Sequence, residues 1–381
     1  MTDSLTAQER ADLVLGSPLG REFLCRFLDN LHALDLSEGL GLGGVPGSSR
    51  TWRLGSPKPP EPEKRYAGWQ EVPLQEVRAY FRRRVSERNW QSVGRLGEQE
   101  LLIELAQVSS SFGFSGGDDA LWGLTQVATE EFRPLALSLV ASPATRSWWD
   151  AVKREDQRLI EWEGCPAPVG SDLESAVLAG MAEERAENEE GLRRSRPSPG
   201  ARNVGASWWS APSFAMNSWT TGGIGQIPTI SLADFIDTYR PHEETGATVW
   251  KLAISGEAKV HEITQPGDWG DLVARYPRDV TGTHDGEWRS WADVDGPWYL
   301  PDWEQVMKEF DGVHVTIGGF VASCGLALPI EQGYTVLAGW IPDATVWLRD
   351  VATSRNRLGR WHGNPLDVRS WSDVMEHWQP F

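Results

Sequence analysis

The chain has 381 residues, and its 40% hydrophobic and 24% charged side chains are typical of a globular protein that can bury a core. This length predicts about two domains. The net charge of −18 disfavours DNA or RNA as a simple electrostatic partner, because a protein that neutralises phosphates needs a basic face. No apolar run is long enough to span a bilayer, so we expect no contact with a membrane through such a segment.

The N-terminus and the cysteines together predict the cellular compartment. The first residues, MTDSLTAQERADLVLG, lack a basic segment followed by an apolar one, so we expect no signal peptide. Cys25, Cys165 and Cys324 are odd in number and form no CxxC pair, which favours a reducing compartment without disulfides or a zinc ribbon. We therefore expect a cytoplasmic protein.

The first half of the chain has the apolar spacing of helices. Ser-Pro pairs at 17–18 and 142–143 each combine an N-cap serine with a proline at the first helical position, which predicts that a helix starts there. The Gly- and Pro-rich stretch 36–70 predicts a surface loop, and RPSPGARN at 196–203 predicts a linker. Helices are expected over parts of 7–35 and near 74–90, 97–112, 124–141, 143–154 and 171–195.

The second half mixes short β-rich runs with helical patterns. Because strands and helices alternate without a regular βαβ order, the pattern predicts an α+β fold. We divide the chain into a helical domain at 1–165, a charged helix and linker at 166–203, and an α+β ligand or catalytic domain at 204–381. Strands are expected at 249–254, 260–263, 313–317, 335–340 and 345–348, with helices at 266–276 and 301–310.

Tryptophan is the unusual component of this sequence. Of its 21 tryptophans, 14 lie after residue 200. Such a density indicates either an aromatic core or a pocket for flat or sugar-like ligands, and we place the core first.

The segment Ser207–Ser213 is the first candidate site. Trp209, Ser210 and Ser213 offer an indole face and two hydroxyls that suit a ligand. The alternative is a buried edge strand that ends in a serine turn.

His314 and two acids form the second group of candidates. In a strand, Val313 and Val315 face the core, so His314 faces the other side and is placed for acid–base chemistry or ligand binding. Asp343 and Glu331 lie in turns and are candidate catalytic carboxylates. The alternatives are a structural histidine and acids that bond their own turn backbone.

The segment 282–298 predicts a long loop that carries three tryptophans and four acids. Asp293-Val294-Asp295-Gly296 matches part of a calcium loop, but the acidic residue that completes such a loop is missing. The histidines form no i, i+4 pair, and we predict no metal site.

Several motifs resemble known families. The chain resembles a family of actinobacterial proteins of uncharacterised activity through WWSAP at 208–212, AKVHEI at 258–263, DWGDLVARYP at 268–277, PDWEQV at 301–306, FDGVHVT at 310–316 and AGWIPDATVWL at 338–348.

A second resemblance, at the level of the fold, is to domains of the ADP-ribosyltransferase class. WWSAPS, EFDGVHV and PDATVWL are similar to three strand motifs of that class, although the Q/E-x-E motif is missing. The resemblance implies NAD as substrate, Trp209 and Ser210 at its nicotinamide end, and Asp343 or Glu331 polarising the ribose.

Two functions stay open. One is an NAD-consuming ADP-ribosyltransferase-like enzyme or glycohydrolase with its site in the second half of the chain. The other is a non-catalytic interaction protein that binds a small molecule or a protein partner.

Overall fold

The computed structural model describes residues 5–28, 53–54, 71–72, 74–87, 90–111, 128–163, 171–194, 207–212, 219–224, 227–228, 246–292, 294–362 and 370–381. Ser213, Cys165 and the predicted linker at 196–203 lie outside the described residues. Most of the predicted loop at 36–70 lies outside them as well.

The chain folds into helices and one large mixed sheet, as an α+β fold requires. Eight strands are hydrogen-bonded in the order β16–β15–β7–β3–β4–β14–β11–β8. Strands β8 and β11 are parallel, whereas the other neighbours in this sheet are antiparallel. The described strands are β1 Arg53–Leu54, β2 Glu71–Val72, β3 Gln157–Trp162, β4 Thr220–Thr221, β5 Gly223–Ile224, β6 Ile227–Pro228, β7 Ala247–Ile254, β8 Val260–Ile263, β9 Pro277–Asp279, β10 Tyr299–Pro301, β11 Gly312–Val315, β12 Ala327–Ile330, β13 Gly333–Val336, β14 Ala344–Trp347, β15 Ala352–Trp361 and β16 Trp378–Pro380.

The five strands predicted in the second half are confirmed within a few residues as β7, β8, β11, β13 and β14. Strands β3 and β15 were not predicted. Their sequences, QRLIEW and ATSRNRLGRW, carry many charged side chains and no clear alternation. Both strands pair with β7 along almost their whole length, so backbone hydrogen bonding with a neighbour determines them.

Two Ser-Pro helix starts are confirmed. The hydroxyl of Ser17 accepts a hydrogen bond from the N–H of Gly20, and the hydroxyl of Ser142 accepts one from Ala144. Ser142 starts a 3-10 helix, Pro143–Trp149, in place of the longer α-helix expected there. The described α-helices are α1 Ala7–Gly16, α2 Pro18–Cys25, α3 Leu74–Glu87, α4 Glu98–Ser111, α5 Arg133–Val140, α6 Ser171–Arg194, α7 Pro266–Arg275, α8 Thr281–Ala292, α9 Trp303–Val306, α10 Ile317–Ser323 and α11 Trp371–His377.

The predicted loop at 282–298 was wrong over most of its length, because α8 occupies Thr281–Ala292. Gly282 lets α8 cross α6 closely. A Cβ at Gly282 would lie 2.2 Å from the carbonyl oxygen of Asn188, and one at Gly191 would lie 2.0 Å from that of Gly282. Trp288 is fully buried on the same helix, so tertiary packing overrides the low local helix propensity.

The core includes residues from both halves of the chain. Apolar side chains of α1, α2, α4 and α5 belong to the same buried cluster as those of β11, α7 and α10. The buried hydroxyl of Ser17 also donates a hydrogen bond to the carbonyl of Val321 on α10, with 2.6 Å between the oxygens. Fully buried tryptophans contribute much of this core, as the first interpretation of their abundance predicts: Trp148, Trp269, Trp288, Trp298, Trp303 and Trp361.

Candidate active site

The candidate site lies on the face of the large sheet opposite this core. Val313 and Val315 of β11 point into the main apolar cluster, which confirms their predicted orientation. The strand register aligns His314 with Glu262 of β8 on one side and Thr345 of β14 on the other. Because directly opposed residues share a face, these side chains form one row across the sheet.

His314 bridges two carboxylates. Its Nδ1 lies 2.5 Å from Oε2 of Glu262, and its Nε2 lies 3.2 Å from Oδ1 of Asp343. A carboxylate only accepts hydrogen bonds, so both ring nitrogens act as donors when both acids are ionised. The geometry therefore fits an imidazolium between two anions, and we call Glu262, His314 and Asp343 the triad.

The charge of His314 follows from two opposing effects. Burial disfavours the charged ring, but the hydrogen bonds and charges of Asp343 and Glu262 outweigh it and raise the pKa of His314 to about 9. The triad then carries a net charge of about −1 at neutral pH, from two carboxylates and one imidazolium. The imidazole is 1% exposed, whereas the side chains of Glu262 and Asp343 are 25% and 22% exposed. Solvent therefore reaches the carboxylates and not the ring.

Asp343 is positioned by an unusual backbone conformation. It lies in the turn before β14, and its φ of 62° is the only positive value among the described residues other than glycine. Its Oδ2 accepts a hydrogen bond of 2.8 Å from the N–H of Gly222, which follows β4. The N–H of Gly222 and the ring of His314 thus hold the two oxygens of the Asp343 carboxylate.

Sequence reasoning missed Glu262 as a functional residue. The sequence signal was the acid in the middle of the short strand VHEI, where an isolated carboxylate is uncommon. Its partner His314 is distant in sequence, since the parallel strands β8 and β11 need a long connection between them. Oε1 of Glu262 also accepts a hydrogen bond of 3.1 Å from the N–H of Val152.

Trp209 and Ser210 lie next to the turn that carries Asp343. The hydroxyl of Ser210 is buried, and it lies 2.7 Å from the carbonyl oxygen and 2.8 Å from the nitrogen of Ala338. The ring of Trp209 covers Gly339, where a Cβ would come within 1.9 Å of it. These contacts hold residues 338–339, in the segment that leads from β13 to the Asp343 turn.

A second aromatic contact supports the same turn. The rings of Trp219 and Trp340 stack with their centroids 5.8 Å apart and their planes at 27°. Trp219 precedes β4 directly, and Trp340 is three residues before Asp343. The stack therefore connects the backbone that donates to Asp343 with the turn that contains it.

Glu331 is not a partner of His314, because Glu262 and Asp343 occupy both ring nitrogens. It lies exposed in the turn between β12 and β13, which form a separate two-stranded sheet. Of the three predicted catalytic residues, the structure brings Asp343 and His314 together and places Glu331 in another turn.

In the described part of the chain, no cluster of three His, Cys, Asp or Glu side chains is arranged to hold a metal ion. No helix in that part has the length and apolarity to cross a membrane. Comparisons of the chain with protein-family models, curated proteins and solved structures find no match.

Proposed function

We propose that the chain is an enzyme that cleaves an N-glycosidic bond, with the triad as its catalytic centre and NAD as the substrate to test first. The observation that carries the proposal is the imidazole ring of His314 held between two partly exposed carboxylates. Strongly perturbed pKa values such as that of His314 cluster at active sites, because catalysis needs groups whose pKa suits the reaction.

The net negative charge of the triad suits this chemistry. Cleavage of a glycosidic bond develops positive charge on the sugar ring, and a fixed carboxylate stabilises such a transition state. In NAD, the bond between the ribose C1′ and the nicotinamide nitrogen breaks, and the electron pair stays on nitrogen, which neutralises the pyridinium. A water oxygen bonds to C1′, and a carboxylate of the triad accepts the proton that this water loses.

Asp343 is the catalytic residue in this proposal. Its left-handed backbone, unfavourable for a residue with a Cβ, holds the carboxylate in one orientation, and such conformations concentrate at functional sites. His314 is a positioning residue that fixes Oδ1 of Asp343, and Glu262 keeps the imidazole charged. Trp209 and Ser210 position the turn of Asp343 through residues 338–339.

The test is release of nicotinamide from NAD by the purified full-length protein, with and without cell lysate. We expect turnover by the wild type and a loss of about 100-fold or more in kcat for Asp343→Asn, since a positioned acid–base group contributes about 10²–10⁴-fold. His314→Gln and Glu262→Gln should reduce kcat less and shift its pH profile. When labelled NAD is the substrate, label that appears on a lysate component would identify a transferase instead of a hydrolase.

Glu257→Gln is the matched control. Glu257 is exposed in the turn just before β8, five residues from Glu262, and the same change there should leave kcat unaltered. Each variant needs a thermal melt to show that it is folded. If wild type releases no nicotinamide under either condition, the proposal fails and the interaction protein becomes the better hypothesis. Full activity of Asp343→Asn together with loss in Glu331→Gln would instead move the site to the β12–β13 turn.

A further inference from the structure

A cavity of about 430 Å³ opens on the same face of the sheet as the triad. The strand register continues the row from His314 through Thr345 to Thr220 of β4, and Thr220 lines this cavity. Its volume lies within the roughly 300–1,000 Å³ of small-molecule sites. The triad does not line this cavity, and the proposed function does not use it.

The floor of the cavity is apolar. It is lined by Leu159, Leu252 and Ile254 of the sheet, by Trp347 of β14 and by Leu173 of α6. The hydroxyl of Thr220 on this floor is already paired, since it donates to Gln157 at 2.6 Å and accepts from the indole N–H of Trp347 at 2.8 Å. An apolar group that packs on this floor therefore does not leave the Thr220 hydroxyl unpaired.

Two arginines carry the positive charge of the lining, which also includes Asp350, Thr353 and Ser354. Arg349 is held by Asp311, with 3.3 Å between Nη1 and Oδ1, and Arg355 is held by Glu161 at 3.1 Å. Arg355 also lies over the ring of Trp250, at 4.2 Å from its centroid. The Nε of Arg355 is buried without a hydrogen-bond partner among the described residues. Each guanidinium has five N–H donors, so these ion pairs leave donors for a ligand.

The arginine donors, and not a net positive charge, select the polar group of the ligand. The described lining has two arginines and one acid, Asp350, and Asp311 and Glu161 pair with the two arginines. Arginine suits carboxylates in particular, because its planar fork matches the two carboxylate oxygens.

We propose that this cavity binds a carboxylate that carries an apolar chain, with the chain on the leucine and tryptophan floor and the carboxylate at Arg355 and Arg349. The site is separate from the triad, so its test does not depend on NAD turnover.

The experiment is calorimetric titration of the full-length protein with sodium decanoate, compared with decan-1-ol, which has the same chain length without the charge. We expect saturable binding of decanoate with one site, and binding of the alcohol weaker by about tenfold, as a charged hydrogen bond contributes. Arg355→Gln and Arg349→Gln should each weaken decanoate binding by about tenfold. A thermal melt of each variant shows whether it is folded.

Arg357→Gln is the matched control. Arg357 lies two residues along β15, and its guanidinium is also over Trp250, at 4.9 Å from the ring centroid, but it does not line the cavity. This variant should bind decanoate within twofold of wild type. Absence of saturation, equal affinity for the alcohol, or equal losses in the Arg355 and Arg357 variants would each overturn the proposal.

Discussion

His314 and His284 are both buried, at 1% and 6% exposure, yet their surroundings favour opposite charge states. His314 contacts two carboxylates, and these outweigh the effect of burial and raise its pKa to about 9. His284 lies on α8, and the ring partners that the described residues provide are the hydroxyl of Thr283 and the carbonyl of Trp209. Burial lowers its pKa to about 4, although a hydrogen bond with the carbonyl of Trp209 acts in the other direction.

The hydrogen bonds of the two rings agree with these charges. The Nε2 of His284 lies 2.9 Å from the carbonyl oxygen of Trp209, so Nε2 carries the proton, and Nδ1 lies 2.8 Å from Oγ1 of Thr283. A neutral ring satisfies both contacts when the hydroxyl of Thr283 donates to Nδ1 in place of the carbonyl of Val280, which lies 3.1 Å from the hydroxyl. The two buried histidines differ in their partners and not in their depth of burial. His314 contacts two carboxylates, which favour a charged ring, whereas His284 contacts a carbonyl and a hydroxyl.

The largest expected effect is on folding stability. His314→Gln removes the imidazolium and leaves two carboxylates facing each other, so we expect a loss of about 3 kcal/mol in the free energy of unfolding. His284→Gln loses hydrogen bonds but leaves no charged group without a partner. We expect it to lower the free energy of unfolding by about 1–2 kcal/mol. Urea unfolding at pH 6.5 measures both values. Equal losses would mean that the carboxylates around His314 do not act as charged partners.

The pH dependence of stability should separate the same two residues. The folded pKa of His314 is above the unfolded value of 6.5, so its contribution is complete below pH 6.5 and is lost as the pH rises towards about 9. The folded pKa of His284 is below 6.5, so its contribution is present above pH 6.5 and is lost as the pH falls towards about 4. Each change amounts to a few kcal/mol at most.

Unfolding curves from pH 4 to pH 9.5 test this assignment when each variant is subtracted from wild type. We expect the His314→Gln difference to shrink as the pH rises from 6.5 to 9.5, and the His284→Gln difference to change as the pH falls from 6.5 to 4. A His314→Gln difference that stays constant from pH 6.5 to pH 9.5 would show that the ring is not charged in the folded protein.

The contrast also explains what the sequence could predict. Local pattern was sufficient to place His314 in a strand with its two valines in the core, and Asp343 in a turn. It could not separate Asp343 from Glu331, because both are acids in turns between strands and only the fold decides which turn meets His314. Glu262 was missed because its pairing with His314 depends on a parallel register between β8 and β11, and the acid in VHEI does not by itself reveal that register.

The unpredicted strand β3 illustrates the same limit. Its residues lie within 1–165, the segment expected to be helical, yet β3 pairs with β7 and β4 in the middle of the sheet. The proposed division into domains stays a prediction, while the core cluster already includes side chains from both halves.

The smallest expected effect concerns the backbone of Asp343, which has no counterpart at His284. At a φ of 62°, glycine is unstrained, asparagine and aspartate are tolerated, and alanine is unfavourable by about 1 kcal/mol. We therefore expect stability to decrease in the order Asp343→Asn, Asp343→Gly, Asp343→Ala. Asparagine comes first because its side-chain carbonyl can still accept from the N–H of Gly222. The glycine and alanine variants both lack the carboxylate, so the difference between them in urea unfolding reports the backbone strain, offset by the smaller conformational freedom of alanine in the unfolded chain. An alanine variant more stable than the glycine variant by about 0.4–1 kcal/mol, the size of that entropy effect, would mean that the turn relaxes, and that the orientation of Asp343 depends on its two hydrogen bonds alone.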